Sequence, residues 1–308
     1  MVDLAAQPKV TARWVPYAAL TGAVVIFSFG AIFVRLAQAQ QVPSLVIAAL
    51  RYTFGAAILA PVVLRQHGAE IRQMPRRDLV LVGLAGIAMG ISLFLYFSTL
   101  EHTTVMITNL FTNTSPLWIG LAEVLILKAV LDRRVWLGVI LALGGGLLFS
   151  LTRMDGSSMG LNPSMGIVLA LASALFSTAY FILARAVRAR VSALAYLWLT
   201  LISGTILLLI VALALGIPLI GYPLEGYFWI LVVTLTGQIT GQFLMAYTLA
   251  YLPATVVSVA MLAQVMIGAV LALILFGEQP GLLQVVASAV ILLGVGVVIT
   301  ARAQPSRN

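Results

Sequence analysis

The residues that could do chemistry in this chain lie inside its apolar segments. Between positions 103 and 127, Asn109, Thr112, Asn113, Pro116, Gly120 and Glu123 recur at steps of three and four, which is one stripe of a helix. Pro116 removes an amide and frees the carbonyl four residues earlier, at Thr112, for another partner. A second stripe holds Thr234, Gln238, Gly241, Gln242 and Met245. Uncharged amides and hydroxyls of this kind can bind an ammonium or a carboxylate without carrying charge. They can equally hydrogen-bond between helices, and Gly237 with Gly241 fits a small-residue packing pair. Ser258 and Tyr96 are further candidates, and Ser28, Ser177 and Tyr180 smaller ones for which intrahelical hydroxyl bonding is the ordinary role. Phe27, Phe94, Phe97, Phe111 and Trp118 could stack a ring or accept an ammonium over a face.

Arg51 and Glu123 are the ionisable groups placed deepest. Arg51 could attract a carboxylate or snorkel to the interface. Glu123 could receive a substrate ammonium or a coupling proton, or pair with Lys128 or Arg134. Both are candidates for gating or coupling. No catalytic residue is expected: there is no deep histidine dyad, aspartate pair or H-E-x-x-H set, so neither metal nor cofactor is indicated. The absence of cysteine removes disulfides, thiol catalysis and Cys metal sites.

The elements that must hold these residues follow from composition and charge. Hydrophobic residues make up 62% of the 308 and charged residues 8%, against about 25% charged in soluble domains. Ten apolar stretches predict membrane helices near 14–36, 44–64, 79–99, 103–127, 134–151, 164–186, 191–216, 227–249, 253–276 and 280–300. Basic residues fall in every second gap: Lys9 and Arg13; Arg65, Arg72, Arg76 and Arg77; Lys128, Arg133 and Arg134; Arg185, Arg188 and Arg190; Arg302 and Arg307. That alternation places both termini in the cytoplasm of a multi-pass protein of the bacterial inner membrane. The same short-loop basic residues account for the net charge of +8, so no nucleic-acid partner is expected.

The second half repeats the first at an offset of about 149. Phe27-Ser28-Phe29-Gly30 matches Phe176-Ser177-Thr178-Ala179, and the stretch from Tyr96 to Thr103 matches that from Met245 to Leu252. Gly144 and Gly146 answer Gly294 and Gly296. Five spans per copy is odd, so the second copy enters from the opposite face. The fold is therefore expected to be all-α, with ten transmembrane helices as two inverted-topology five-helix repeats. The domains are 1–155 and 160–302, with a cytoplasmic tail at 303–308. Inverted repeats imply two related conformations and a midplane site between the halves.

Ten spans in two five-helix units, Tyr-x-x-Leu leading into the helix of Pro116, and a Gly-Glu turn at Gly277-Glu278 resemble the drug/metabolite transporter superfamily. Within it the chain is similar to EamA-type exporters, most of all the aromatic amino-acid exporters of the YddG kind. The resemblance implies export of amino acids through a cavity lined by helices 1, 3, 4, 6, 8 and 9. It departs at the equivalent acidic turn of the first half, which falls near Ala129, with Asp132 displaced from it.

The expected function is alternating-access export of amino acids, including aromatic and apolar ones, and related small metabolites. Asn109, Thr112, Asn113, Tyr96, Gln238, Gln242, Ser258, Ser28 and Ser177 are the expected substrate contacts, and the loops Leu249 to Pro253 and Gly160 to Ser164 the expected hinges. The partners are the substrate and membrane lipid, with the chain acting as a monomer. The rival readings are efflux of quaternary cations, a passive channel and a lipid scramblase.

Overall fold

The computed structural model describes residues 14–102, 108, 111–126, 131–151, 162–264, 266–267, 270 and 282–303. The described residues form helices and turns, with no strand among them. In chain order the helices are α1 (Val15–Ala39), α2 (Ser44–Gln66), α3 (Gly68–Gln73), α4 (Arg76–His102), α5 (Ser115–Leu125), α6 (Arg133–Leu151), α7 (Pro163–Val187), α8 (Ala193–Ala214), α9 (Leu224–Tyr251), α10 (Ala254–Met261) and α11 (Leu282–Ala303). Six are long and apolar enough to cross a membrane: α1, α2, α4, α7, α8 and α9. Shorter apolar helices lie in α5 and α11.

Local sequence explains most helix ends. Proline opens α1 at Pro16, and Pro43, Pro223 and Pro253 stand immediately before α2, α9 and α10, positions that need no amide donor. Asn162 caps α7 by accepting from Met165 N–H at 3.2 Å, and the Ser192 hydroxyl caps α8. Gly216, with φ of +65°, closes the chain after α8, a conformation only glycine adopts freely.

Packing pairs α4 with α7 and α8, α2 with α8, α1 with α9, α6 with α11, and α5 with α7 and α10. Small residues permit the closest contacts. Ser92 and Ser173 exchange hydrogen bonds across α4 and α7, each hydroxyl donating to the other's carbonyl at 2.9 and 2.8 Å. Gly138 and Gly145 of α6 face Gly294 and Ile291 of α11, where an added Cβ would meet backbone within 3 Å. Of the four glycines in the expected repeat signature, Gly294 is packed in this seam, whereas a Cβ at Gly144, Gly146 or Gly296 would meet open space.

Two expected spans and one expected loop differ from the observed structure. The 103–127 segment is not one helix: Asn113 and Thr114 form a turn, and Pro116 lies in the first turn of α5. Pro116 thus starts a helix, where its missing amide costs nothing, instead of kinking one. The eighth span is wound as a π-helix over Thr234–Gly241, where Thr240 Oγ1 donates to Leu235 O, five residues back, at 2.9 Å. The loop after α2 carries the short helix α3, which apolar periodicity could not signal. The tail beyond 303 and most of the 253–276 span past Ile267 lie outside the described residues.

Candidate functional site

The turn between α9 and α10 is held from two sides. Pro253 precedes α10 and offers no side-chain acceptor, so the first amides of that helix need a partner from elsewhere. Glu123 of α5 provides it. Its Oε1 accepts from Ala254 N–H at 2.7 Å, and its Oε2 accepts from Thr255 N–H at 3.2 Å and from Thr255 Oγ1 at 2.5 Å. The residue is 2% exposed. A carboxylate at a helix N-terminus also meets the favourable end of the helix dipole.

The carbonyl end of α9 is held by α7. Arg188 Nε donates to Ala246 O at 2.7 Å and its Nη1 to Val191 O, while Arg185 Nη1 donates to Leu249 O at 2.8 Å and Ala250 O at 3.1 Å. Leu249 O and Ala250 O belong to the last turn of α9, whose carbonyls have no intrahelical partner of their own; Ala246 O lies one turn earlier, and Val191 O is in the loop between α7 and α8. Arg185 and Arg188 read in the sequence as topology signals. Their three-residue spacing at a helix end was the available sign of a second role, but nothing local named the carbonyls they reach.

The expected substrate contacts fall into three groups. Gln238 and Gln242 are buried, one turn apart, in and beside the π-wound segment of α9. Tyr180 OH donates to Gln242 Oε1 at 3.2 Å. Gln238 Oε1 is buried without a partner, and the side chain approaches α2, its Cγ lying 3.6 Å from where a Cβ at Gly55 would stand. Thr112, Asn113, Tyr96 and Ser177 are half-buried. Thr112 is also occupied locally, donating to Thr108 O at 2.8 Å.

Two hydroxyls turn inward on their own helices. Ser28 Oγ donates to Val24 O at 2.7 Å, and Ser258 Oγ to Thr255 O at 3.0 Å, which is the ordinary role of a serine in an apolar helix. Asn109 lies outside the described residues. Of the paired glycines on α9, Gly241 packs against Phe27 and Ile26, whereas Gly237 meets only Val233.

The tyrosine layer was not legible in the sequence. Tyr52, Tyr180 and Tyr196 are all at most 3% exposed, with the Tyr180 and Tyr196 ring centroids 6.5 Å apart. Two of the rings carry an arginine over their face: Arg188 Cζ lies 6.0 Å from the Tyr196 centroid and Arg51 Cζ 5.9 Å from that of Tyr52. The arrangement can orient a polar solute through amides, phenols and guanidinium. It contains no nucleophile–base pair, and no group of three or more metal-ligating side chains occurs among the described residues.

Comparison with known proteins adds the following. A family model described as the EamA-like transporter family matches residues 14–151 and again residues 164–300. A solved structure titled only "Crystal structure of protein" shares the fold, with a TM-score of 0.80 at 20% sequence identity, over 94% of this chain and 98% of that one. No curated protein matches the chain.

Proposed function

The chain belongs to the EamA-like transporter family, and on that premise we propose that it exports amino acids, aromatic and apolar ones included, by alternating access. As a member it is a multi-pass membrane protein that moves small solutes, and its task is translocation with no bond made or broken. The finer reading places it in the bacterial inner membrane with both termini cytoplasmic, as the basic gaps indicate. It also takes the ten spans as two inverted repeats, and the double match of one family model supports this. So do the helix pairings: exchanging the halves turns the α1–α9 contact into α7–α4 and the α4–α8 contact into α9–α2, and all four occur.

The observation that carries the substrate reading is the π-wound middle of α9, with its two buried glutamines. π-Turns interrupt regular helix bonding and recur at functional sites, and broken helices mark the binding site in repeat transporters. Amides there suit a solute that carries both charges and needs no counter-ion from the protein. Efflux of quaternary cations would call on a free deep carboxylate. Glu123, the deep acid among the described residues, is already engaged by Ala254 and Thr255. Glu123 is thereby assigned to the gate: opening the end of the molecule at the α9–α10 turn requires its contacts to break.

Uptake of a panel of radiolabelled amino acids into vesicles holding only this protein, with choline as control, tests the reading. Saturable amino-acid flux that Asn113→Leu or Gln242→Leu abolishes is the expected result. Choline flux without amino-acid flux would overturn it in favour of cation efflux.

A further inference from the structure

Arg51 stands seven residues into α2, about 10 Å along the helix from Ser44. A guanidinium at membrane depth is costly and is ordinarily paired with an acid or with carbonyl oxygens. Among the described residues Arg51 has neither. It makes no hydrogen bond or ion pair, its Nε is buried without a partner in a half-buried side chain, and its guanidinium lies over the Tyr52 ring. Beside Gly55, one helical turn further along α2, lies the complementary deficit: Gln238 Oε1, an acceptor, buried and also without a partner. The helices are close at this level, since a Cβ added at Gly55 would lie 3.6 Å from Gln238 Cγ.

A buried donor and a buried acceptor left unmet within one turn of α2 is an expensive arrangement unless something else meets them. A cation alone would satisfy Gln238 and repel Arg51. An anion alone would satisfy Arg51 and leave the Gln238 oxygen bare. A zwitterion satisfies both. We infer that Arg51, Tyr52 and Gln238 form a subsite for the charged end of an α-amino acid. The Arg51 guanidinium takes the carboxylate and Gln238 Oε1 takes the ammonium. The inference rests on the amino-acid reading above and deepens it, because it names which groups distinguish an amino acid from its one-charged analogues. The π-winding of α9 is then what turns Gln238 toward α2, and the glycine at 55 is what leaves room for it.

The test uses purified full-length protein and three probes: phenylalanine, phenethylamine, which lacks the carboxylate, and 3-phenylpropionate, which lacks the amine. Ligand-induced thermal stabilisation in detergent gives affinities, and vesicle uptake gives flux. Wild type should bind phenylalanine in preference to both analogues. Arg51→Gln should lose about tenfold or more of the affinity for phenylalanine while holding phenethylamine unchanged. Gln238→Leu should lose the preference over 3-phenylpropionate. Arg51→Lys, which keeps the charge but not the planar fork, should fall between; with Gln238→Leu it carries the test if Arg51→Gln does not elute as a monodisperse protein.

Unchanged phenylalanine affinity and unchanged preferences in Arg51→Gln and Gln238→Leu would overturn the subsite. So would an Arg51→Gln effect confined to vesicles of anionic lipid, which would make the arginine a partner of lipid phosphate. Zwitterion-selective binding without flux would sink the export reading and leave the subsite standing. Flux insensitive to both variants would do the reverse.

Discussion

The Glu123 carboxylate lies 2.7 Å from the Ala254 amide, so an acid of the first half of the chain caps a helix of the second. Thr255 adds a hydroxyl and a second amide to the same carboxylate. Arg185 and Arg188 hold the carbonyl end of α9 just before the turn. The α9–α10 turn is thus tied at its negative end by cations and at its positive end by an anion, each matched to the local helix dipole. Of these ties, the Glu123 contact is the one that joins the two halves.

Removing that acid should loosen the turn. Glu123→Ala leaves two buried amides of α10 unpaired, at an expected loss of about 1–3 kcal/mol of stability, seen as earlier thermal unfolding in detergent. Because the chain has no cysteine, Ser258→Cys can report on the gate directly. A membrane-impermeant maleimide applied at the face that bears the α9–α10 turn should label it faster in the Glu123→Ala background. Equal labelling rates would show that the carboxylate is a static cap with no part in gating.

Stability should also depend on Glu70 of the short helix α3. Burial pushes its carboxyl up, but hydrogen bonds from the Ser192 amide and hydroxyl at 2.7 Å, together with His67, outweigh this and hold it below the usual carboxylate range. The folded value is therefore the lower of the two. The contribution is fully present above the unfolded value and is lost as pH falls through the folded one. Unfolding midpoints measured from pH 7 down to about 3 should fall less steeply in Glu70→Gln than in wild type. Parallel curves would dismiss the idea.

The α6–α11 seam separates two classes of glycine. A Cβ at Gly294 would lie 2.4 Å from Ala142 N and 2.7 Å from Gly138 O, so Gly294→Ala must push the helices apart. The expected loss is about 1–3 kcal/mol. Gly296→Ala meets open space and should leave the melting temperature within a degree or so of wild type, since it also removes a poor helix former. Equivalent melts for the two variants would mean that the seam is looser than described.

Transport should discriminate between engaged and available polar groups. Ser28→Ala deletes a hydroxyl already spent on Val24 O and should leave flux near wild type. Asn113→Leu removes a half-buried amide at the turn before α5 and should abolish saturable flux. Gln242→Leu should do the same and, by stranding the Tyr180 hydroxyl, also cost about 1–3 kcal/mol of stability. A Ser28→Ala defect as deep as that of Asn113→Leu would reverse the ranking of these sites.

What depends on near neighbours along the chain can be read from the residues themselves. Apolar runs of about twenty residues can only be helices in lipid, because each backbone group must find its partner within the segment. Pro43, Pro223 and Pro253, with the caps Asn162 and Ser192, set the helix starts locally. The stripe containing Gln238 and Gln242 was visible because helical spacing puts them on adjoining turns. Tertiary structure decided what those residues meet. Glu123 and Ala254 are 131 positions apart in the chain, and no periodicity says that one caps the other. Arg51 reads from the chain alone either as a snorkelling side chain or as a carboxylate site, and only packing shows that its buried Nε has no partner among the described residues. The break at Asn113 and Thr114 and the π-winding of Thr234–Gly241 were hidden for the same reason. Both depend on how a helix is packed by others, and a pattern of residue types records which groups are polar but not which of them remain unsatisfied after packing.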